Sequence, residues 1–526
     1  MMHSAGNGKG GNLKSRTLTC ITAMMLFAAL AIPIQLAAQH TRYKLVDIGM
    51  LGGPVGYLSA AGQGSLVLNG QGMVAGSADT SGADPFFPVC FNPDCFISHG
   101  FLWRHGVLSD LGALSGPDNS SAMSAINARG WTAGYSENGE IDPLTGFPEA
   151  HAVLWKRNKI VDLGTLGGFE SNATEVKDGG EVVGFSTING VPDPFSFLGA
   201  PIHPFTWKNG VIRDLGTLGG PDAFVGVGCA NERNGTVVGG SLINSTPNPS
   251  TGSPTQHAFL WENGTMTDIP TLGGTFAFAQ CANNLGQVVG VSNLTGDVGC
   301  NGSLNSCNQD AFLWYRGVLT DLGTLGGTFS IPIWLSNNGE AVGAANTIGD
   351  QASHASLWRN GMIRDLGAVK GDDCSFANAI NSRSQIVGVS LSCATGDERA
   401  FLWEDGGPMV DLNTLIPANS SLRLAQAFNI NDKGEIVGLG VRPGDPTQDQ
   451  QLAFFGHVFL LIPCESEEEG CNDSGEATTA ETRINAVSVA QSPTTSRQLD
   501  REIVAAWRAR LTRRYHIPGL GTPPKN

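Results

Sequence analysis

One block of sequence recurs along this chain, and it governs everything the chain can fold into. Residues 257–269 read His-Ala-Phe-Leu-Trp-Glu-Asn-Gly-Thr-Met-Thr-Asp-Ile, and residues 203–215 read His-Pro-Phe-Thr-Trp-Lys-Asn-Gly-Val-Ile-Arg-Asp-Leu. The tryptophan returns at Trp103, Trp155, Trp207, Trp261, Trp314, Trp358 and Trp403, and an aspartate follows each at Asp110, Asp162, Asp214, Asp268, Asp321, Asp365 and Asp411. An eighth, Asp47, has no tryptophan before it, and the eight positions set a period of about 52 residues. The near-constant spacing marks a rigid hairpin. Asn-Gly between two apolar stretches is its turn, because a tight type I′ turn needs positive φ at both positions.

Each period holds a second hairpin. Asp-Leu-Gly is followed by a connection, Thr-Leu-Gly-Gly in four copies, and the repeated last glycine implies a backbone angle that other residues resist. Then come an apolar stretch ending in Ile-Asn, a short turn, and Val-Val-Gly or a relative. The glycine of that last element is present in all eight copies, at Gly76, Gly134, Gly184, Gly239, Gly290, Gly343, Gly388 and Gly438. Four short strands per period predict an all-β chain, a β-propeller of about eight four-stranded blades. The Ile-Asn strand is innermost, followed by Val-Val-Gly, Phe-Leu-Trp and Asp-Leu-Gly. The 71 glycines fit this and disfavour helix. Two strands lack partners, 43–48 at the start and 458–461 at the end. Pairing them would close the ring and leave no blade edge unmatched. An open or differently wound β-solenoid is the rival architecture.

The chain outside the repeat reads differently. Residues 1–39 have the basic, apolar, small-residue order of a secretory signal peptide, with an uncleaved anchor as the alternative. The propeller occupies 40–464. The tail, 465–526, is acidic and then basic and reads as mostly disordered, with an amphipathic helix over 497–515 as the one segment suited to a membrane surface. A net charge of −16 argues against nucleic acid. After the leader ten cysteines remain. Cys90/Cys95, Cys300/Cys307, Cys374/Cys393 and Cys464/Cys471 lie close in sequence, and Cys229 and Cys281 sit in matching contexts. None has zinc-site spacing, so in an exported protein, extracellular or periplasmic, they read as disulfides.

The chemistry is harder to read. The connection after Val-Val-Gly varies most in length, and long loops on a rigid scaffold are where recognition sits. The insert 77–99 is the most apolar of these, with Phe86, Phe87, Phe91 and Phe96 around Cys90 and Cys95, and is the expected ligand face. Six histidines share one repeat position: His99, His151, His203, His257, His354 and His457, with Asp310 and Arg399 standing there in two other copies. Repetition around a ring keeps them apart. They therefore read as structural staples to the aspartates and not as a metal site, and His257, Trp261, Asp268 and Gly290 represent this structural set. No nucleophile elbow, phosphate loop, zinc motif, dinucleotide fingerprint or EF-hand loop occurs, so no catalytic residue, cofactor or metal is expected. The resulting expectation is an exported, monomeric binding module, not an enzyme. Its partner would be a glycan, a surface polymer or an envelope protein. A propeller hydrolase or lyase on extracellular polysaccharide is the alternative, and a purely structural envelope component is a third reading.

The repeat resembles the HAF repeat family of bacterial extracellular proteins. The likeness rests on His-Ala-Phe at 257–259, Leu-Trp, Asp-Leu-Gly-Thr-Leu-Gly-Gly, Ile-Asn and Val-Val-Gly, and on the closing Asp411-Leu-Asn-Thr-Leu-Ile-Pro417. It covers about residues 43–463. Departures are local: Asn158-Lys159 lacks the turn glycine, Ser384 replaces a glycine, and Val176-Lys177 replaces Ile-Asn. The resemblance implies export and a repeat architecture and carries no established activity.

Overall fold

The structure is a computed structural model. It describes residues 41–464 apart from 59–63, 88–89, 93, 158, 194–195, 197, 227–234, 250, 297–307 and 443–455, together with residue 471 and the backbone of 483–485. The chain divides into Met1–Thr41 and Arg42–Asn526, and every described strand lies in the second unit. Among the described residues the fold is all-β, with two short 3-10 turns at Ile348–Asp350 and Leu412–Thr414. No described helix is long and apolar enough to cross a membrane.

Four-stranded antiparallel units succeed one another along the chain. The unit Ser121–Ile126, Thr132–Ile141, Pro148–Lys156, Lys159–Asp162 is typical and keeps its strands in sequence order across the sheet. Three such units merge into one twelve-stranded sheet through single parallel pairs, Gln256↔Phe276 and Gln309↔Phe329. The two unpartnered strands meet. Tyr43–Asp47 runs antiparallel to His457–Pro463, in a sheet completed by Ile436–Val441 and Arg423–Ile430. In the tail, Arg483–Asn485 adds a parallel fifth strand beside Val107–Asp110. The segment 497–515 lies outside the described residues.

The repeated residues explain why each unit forms. Phe101, Phe205, Phe259, Phe312, Phe401 and Phe459 have no exposed surface, and each such ring contributes roughly 2–3 kcal/mol of burial. The phenyl ring lies over the glycine of Val-Val-Gly. A Cβ on Gly290 would stand 2.1 Å from the Phe278 carbonyl oxygen and 2.8 Å from Phe312 Cζ. That glycine is therefore dictated by close approach, since its φ is ordinary. In Leu-Gly-Gly the positive φ belongs mostly to the first glycine, as at Gly167 and Gly219. The last one, as at Gly168 and Gly220, is crowded by the neighbouring strand. The expected backbone-angle constraint applies at the last position only in copies such as Gly116 and Gly371.

Polar rivets join one unit to the next. The asparagine of Ile-Asn accepts the N–H groups two and four residues on, at 3.0 Å in Asn69 and Asn127, and so builds its own turn. Its side-chain amide donates to a carbonyl of the following unit: Asn69 to Asn127, Asn127 to Lys177, Asn283 to Ser336 and Asn381 to Asn431, all at 3.0–3.1 Å. Asn431 donates in turn to the Asn69 carbonyl at 3.1 Å, joining the last unit to the first. At the opposite end of the strands a serine does similar work. Ser171 accepts from Ala152 N at 2.8 Å and donates to Gly164 O at 2.7 Å, and Ser121, Ser330 and Ser375 repeat the pattern. The inserts that vary between units leave from this serine end.

Candidate functional site

The insert 77–99 links Val74–Ala83 to Phe96–Arg104 in the first unit. Its polar groups are the unusual feature. Asp79 is fully buried and sits against Gly53, where a Cβ would come within 2.4 Å of the aspartate's own. The absence of a side chain at Gly53 thus lets the Leu-Gly-Gly connection close over it. Asp79 Oδ2 accepts Val55 N at 3.3 Å, and Asn92 Nδ2 donates to its Oδ1 at 3.4 Å. The carboxyl of the half-buried Asp94 is its neighbour. Burial, followed by the neighbouring Asp94 carboxyl, holds Asp79 well above the usual carboxylate range, and burial raises Asp94 as well. Two neighbouring carboxylates repel when both are ionised, which favours a protonated form of the buried one.

The surroundings position the pair. Tyr57 is buried with its hydroxyl 2.9 Å from Ser98 Oγ, and burial drives its phenol upward, keeping it neutral. Asp84 accepts Phe86 N and Phe91 N at 2.8 Å each and so shapes the loop, while burial raises its own carboxyl. The Cys90–Cys95 disulfide closes the segment that carries Asp94. Phe91 packs on Tyr135 of the next unit with ring centroids 5.5 Å apart. Phe87 is 59% exposed, and Phe86 and Phe96 are half-buried. The four phenylalanines share the insert with a carboxyl pair that no sequence motif announces. The available signal was three aspartates, at 79, 84 and 94, that belong to no repeat position.

The histidine series is distributed. His99, His151, His203, His257 and His354 each place Nδ1 2.7–3.0 Å from the paired aspartate of their own unit, with His257 on Asp268 at 2.7 Å. Phe259 stands opposite Asp268 in the sheet register, and Trp261 is buried. His457 is 4.0 Å from Asp47, which Arg442 holds at 2.6 Å. Arg399 bonds Asp372 instead of the repeat aspartate. Asp310 meets Asp321. His151 alone among these places Nε2 on a second carboxylate, Glu149, at 2.9 Å, and its pKa is raised by Asp162 and Glu149 against the opposing effect of burial.

Disulfides join Cys90–Cys95, Cys374–Cys393 and Cys464–Cys471, and Cys281 is also disulfide-bonded. Cys229, Cys300 and Cys307 lie outside the described residues. These bonds belong to an oxidising compartment. The side chains of Asp373, Cys374 and Cys393 converge, but both thiols are spent in a disulfide, which leaves one carboxylate and no metal-binding set. Elsewhere on the insert-bearing end, burial pushes Asp222 up to about 7, where it accepts Ile202 N at 2.7 Å. Burial also pushes Glu398, bonded to Gln426, up to about 7.

No family model and no curated protein matches the sequence. Solved structures similar to it are β-propeller proteins. The propeller domain of the Trilobed protease from Pyrococcus furiosus matches at 10% identity and TM-score 0.38, covering 68% of this chain and 98% of that one. Dipeptidyl peptidase 4 from Porphyromonas gingivalis matches at 10% identity and TM-score 0.42, covering 75% of this chain and 59% of the peptidase. A polysaccharide lyase, an ulvan lyase, matches at 12% identity and TM-score 0.33, covering 68% and 94%. These relatives are enzymes or parts of enzymes, where a binding module without catalysis was expected, and that expectation is withdrawn. At such identities the likeness concerns the fold alone.

Proposed function

We propose that this chain is an exported propeller enzyme of the hydrolase or lyase kind, acting on extracellular polysaccharide, with its acid–base centre at Asp79 and Asp94. The observation that carries the reading is a fully buried carboxyl group, Asp79, beside a second one, Asp94, at the base of the variable insert. A carboxyl group that keeps its proton above the usual carboxylate range can deliver it to a leaving glycosidic oxygen, and its partner can hold the charge left behind. Asp94 lies nearer solvent and is the group that hands the proton to the substrate. Asp79, whose carboxyl the pairing raises while it lowers that of Asp94, holds the proton at rest and resupplies it, fixed by Val55 N and Asn92. Phe91 and Phe87 offer apolar faces on which a sugar ring can stack. Hydrolysis adds water across the C–O bond, whereas elimination removes a proton beside a uronate carboxyl and leaves an unsaturated sugar. Both release the leaving oxygen as a hydroxyl and need the same acid.

The finer architecture belongs to the same proposal: eight blades in a ring closed by Tyr43–Asp47, membership of the HAF repeat family, and export with cleavage of the leader. The hydrogen bond from Asn431 to Asn69 and the disulfides support the ring and the export. The chain would act as a monomer, and its partner is the polymer it cleaves.

The test is release of reducing ends, or of ultraviolet-absorbing unsaturated ends, from neutral and uronate-containing polysaccharides. The full chain, Asp94→Asn and Asp79→Asn would be compared. The proposal expects turnover by the full chain, loss of at least about a hundredfold in Asp94→Asn, and a smaller loss in Asp79→Asn. Wild-type turnover retained in Asp94→Asn overturns it.

A further inference from the structure

The unit built from Gly326–Leu335, Ala341–Thr347, Ser353–Arg359 and Met362–Asp365 shows how a cation is neutralised at the end of the strands opposite the inserts. Arg359, which follows Trp358, is bound by Glu340 of its own unit and by Asp405, in the turn of the next unit, at 3.2 Å. Asp405 also holds Arg364 at 2.9 Å. The unit Ser121–Ile126 to Lys159–Asp162 has a cation at the same repeat position, Lys156 after Trp155, but neither carboxylate. Trp131 stands where Glu340 does, three residues before the Val-Val-Gly glycine. Asn209 stands where Asp405 does, two residues after the next unit's tryptophan.

Trp131 gathers positive charge without cancelling it. The Lys156 ammonium lies 5.4 Å from the Trp131 ring centroid and 5.5 Å from that of Trp207, and the Arg129 guanidinium lies 5.7 Å from Trp131. The indole reaches the following unit, where a Cβ on Gly180 would meet its Cζ3 at 2.7 Å. A cation–π contact attracts a cation but leaves it its full charge. Arg157 and Lys159 belong to the same turn as Lys156 and are exposed, as is Arg129. Among the described residues none of Arg129, Lys156, Arg157 and Lys159 has a carboxylate partner. The carboxylates at this end of the two units are bound elsewhere. Asp178 accepts Ala128 N at 2.8 Å, and Glu181 accepts Gly235 N at 3.1 Å and lies 4.0 Å from Lys208 Nζ. Glu175 pairs with the buried Lys177 at 3.4 Å. Four uncompensated cations thus stand together on a chain of net charge −16.

We infer that this patch, centred on Lys156 and Arg129, binds an anionic polysaccharide through carboxylate or sulfate groups carried on its sugars. It lies at the end of the strands opposite the insert that carries Asp79 and Asp94, so it holds the polymer and does not react with it. A flat anionic membrane would also meet the acidic remainder of the surface and be repelled, whereas a single polymer strand can touch the patch alone. The disulfides belong to an oxidising compartment, away from cytoplasmic nucleic acid. The polymer class is that of the proposed function, to which the patch adds a charge. Binding is read apart from cleavage, so either can fail alone.

The experiment is equilibrium binding of the full chain to polygalacturonate, dextran sulfate and neutral dextran, with phosphatidylcholine vesicles containing phosphatidylglycerol as the membrane arm. The wild-type protein should bind at least one charged polymer, more weakly as salt is added, and leave neutral dextran unbound. Preference for polygalacturonate assigns a uronate polymer, and preference for dextran sulfate a sulfated one. Arg129→Gln combined with Lys156→Gln should weaken binding by about tenfold or more. Arg383→Gln combined with Lys433→Gln makes the same charge change with exposed cations of two other units and should alter binding less than about twofold. Trp131→Glu restores the carboxylate that Glu340 supplies elsewhere and should weaken binding as the first pair does. Urea midpoints report whether each variant is folded, and if Trp131→Glu is not, the first pair decides. No binding to either charged polymer, equal binding to neutral dextran, binding unchanged in the first pair, or tighter binding to the vesicles overturns the inference. Binding without cleavage contradicts the catalytic reading alone.

Discussion

Gly290→Ala should destabilise this protein far more than its size suggests. A Cβ at that position would lie 2.1 Å from Phe278 O and 2.8 Å from both Ala279 Cα and Phe312 Cζ. Ordinary contact begins near 3.4 Å, so the inner strand must retreat by more than an ångström and the Phe312 ring must shift within its fully buried site. Two of the three obstacles are backbone atoms already held in the sheet by Ala279 and its partner. Overpacking of this kind costs about 1–3 kcal/mol, and a rigid obstacle places the estimate at the upper end. Gly70→Ala is the control, because a Cβ there meets nothing within 4 Å and its φ is ordinary. It should be neutral, or stabilising by about 0.4–1 kcal/mol through the unfolded chain. Urea unfolding followed by tryptophan fluorescence separates the two. Equal midpoints for both variants would refute the argument that this glycine is set by close approach.

The same geometry gives three further outcomes. Asn431→Ala removes the amide that reaches the Asn69 carbonyl and the acceptor for Lys433 N and Glu435 N. It should lower stability by about 1–3 kcal/mol, with hydrogen exchange rising first at 66–73 and 431–437. Asp222 is pushed up to about 7 by burial, so its folded form retains a proton that the unfolded chain has lost between about pH 4 and pH 7. Its contribution is therefore present in acid and lost as pH rises across that window. Asp222→Asn should reduce the corresponding fall in the urea midpoint between pH 4.5 and 7.5. Reduction of Cys90–Cys95, or its replacement by serines, should lower global stability by at most about 2 kcal/mol, because the loop it closes is short, while increasing protease cutting within 84–96.

Much of this fold was legible because its determinants are local and repeated. Asn209-Gly210 and Asn263-Gly264 take the positive φ that their turns need, and the hairpins they predict are present. The complementary orphan strands at the two ends of the repeat were visible for the same reason. The serine rivets were not recognised, because Ser171 and Ser330 act across units and their partners are backbone atoms with no residue identity to read. The site was legible only in its location. The insert 77–99 stood out by length and aromatic content. The encounter of Asp79 with Asp94 depends on how the disulfide-closed loop folds back over its own strand, and no spacing rule encodes that. Gly53 was assigned a backbone constraint, yet its consequence here is the room it leaves beside Asp79.

The central claim is that a carboxyl group at 79–94 transfers a proton to a polysaccharide. The pH dependence of kcat/KM for polymer cleavage tests it most directly, with wild-type protein and Asp94→Asn measured side by side. The account predicts activity that falls as pH rises through the raised titration of the Asp79–Asp94 pair, and loss of both the activity and that alkaline limb in Asp94→Asn. Cleavage with an unaltered alkaline limb in Asp94→Asn, or no cleavage of any polymer by a folded wild-type chain, would contradict it.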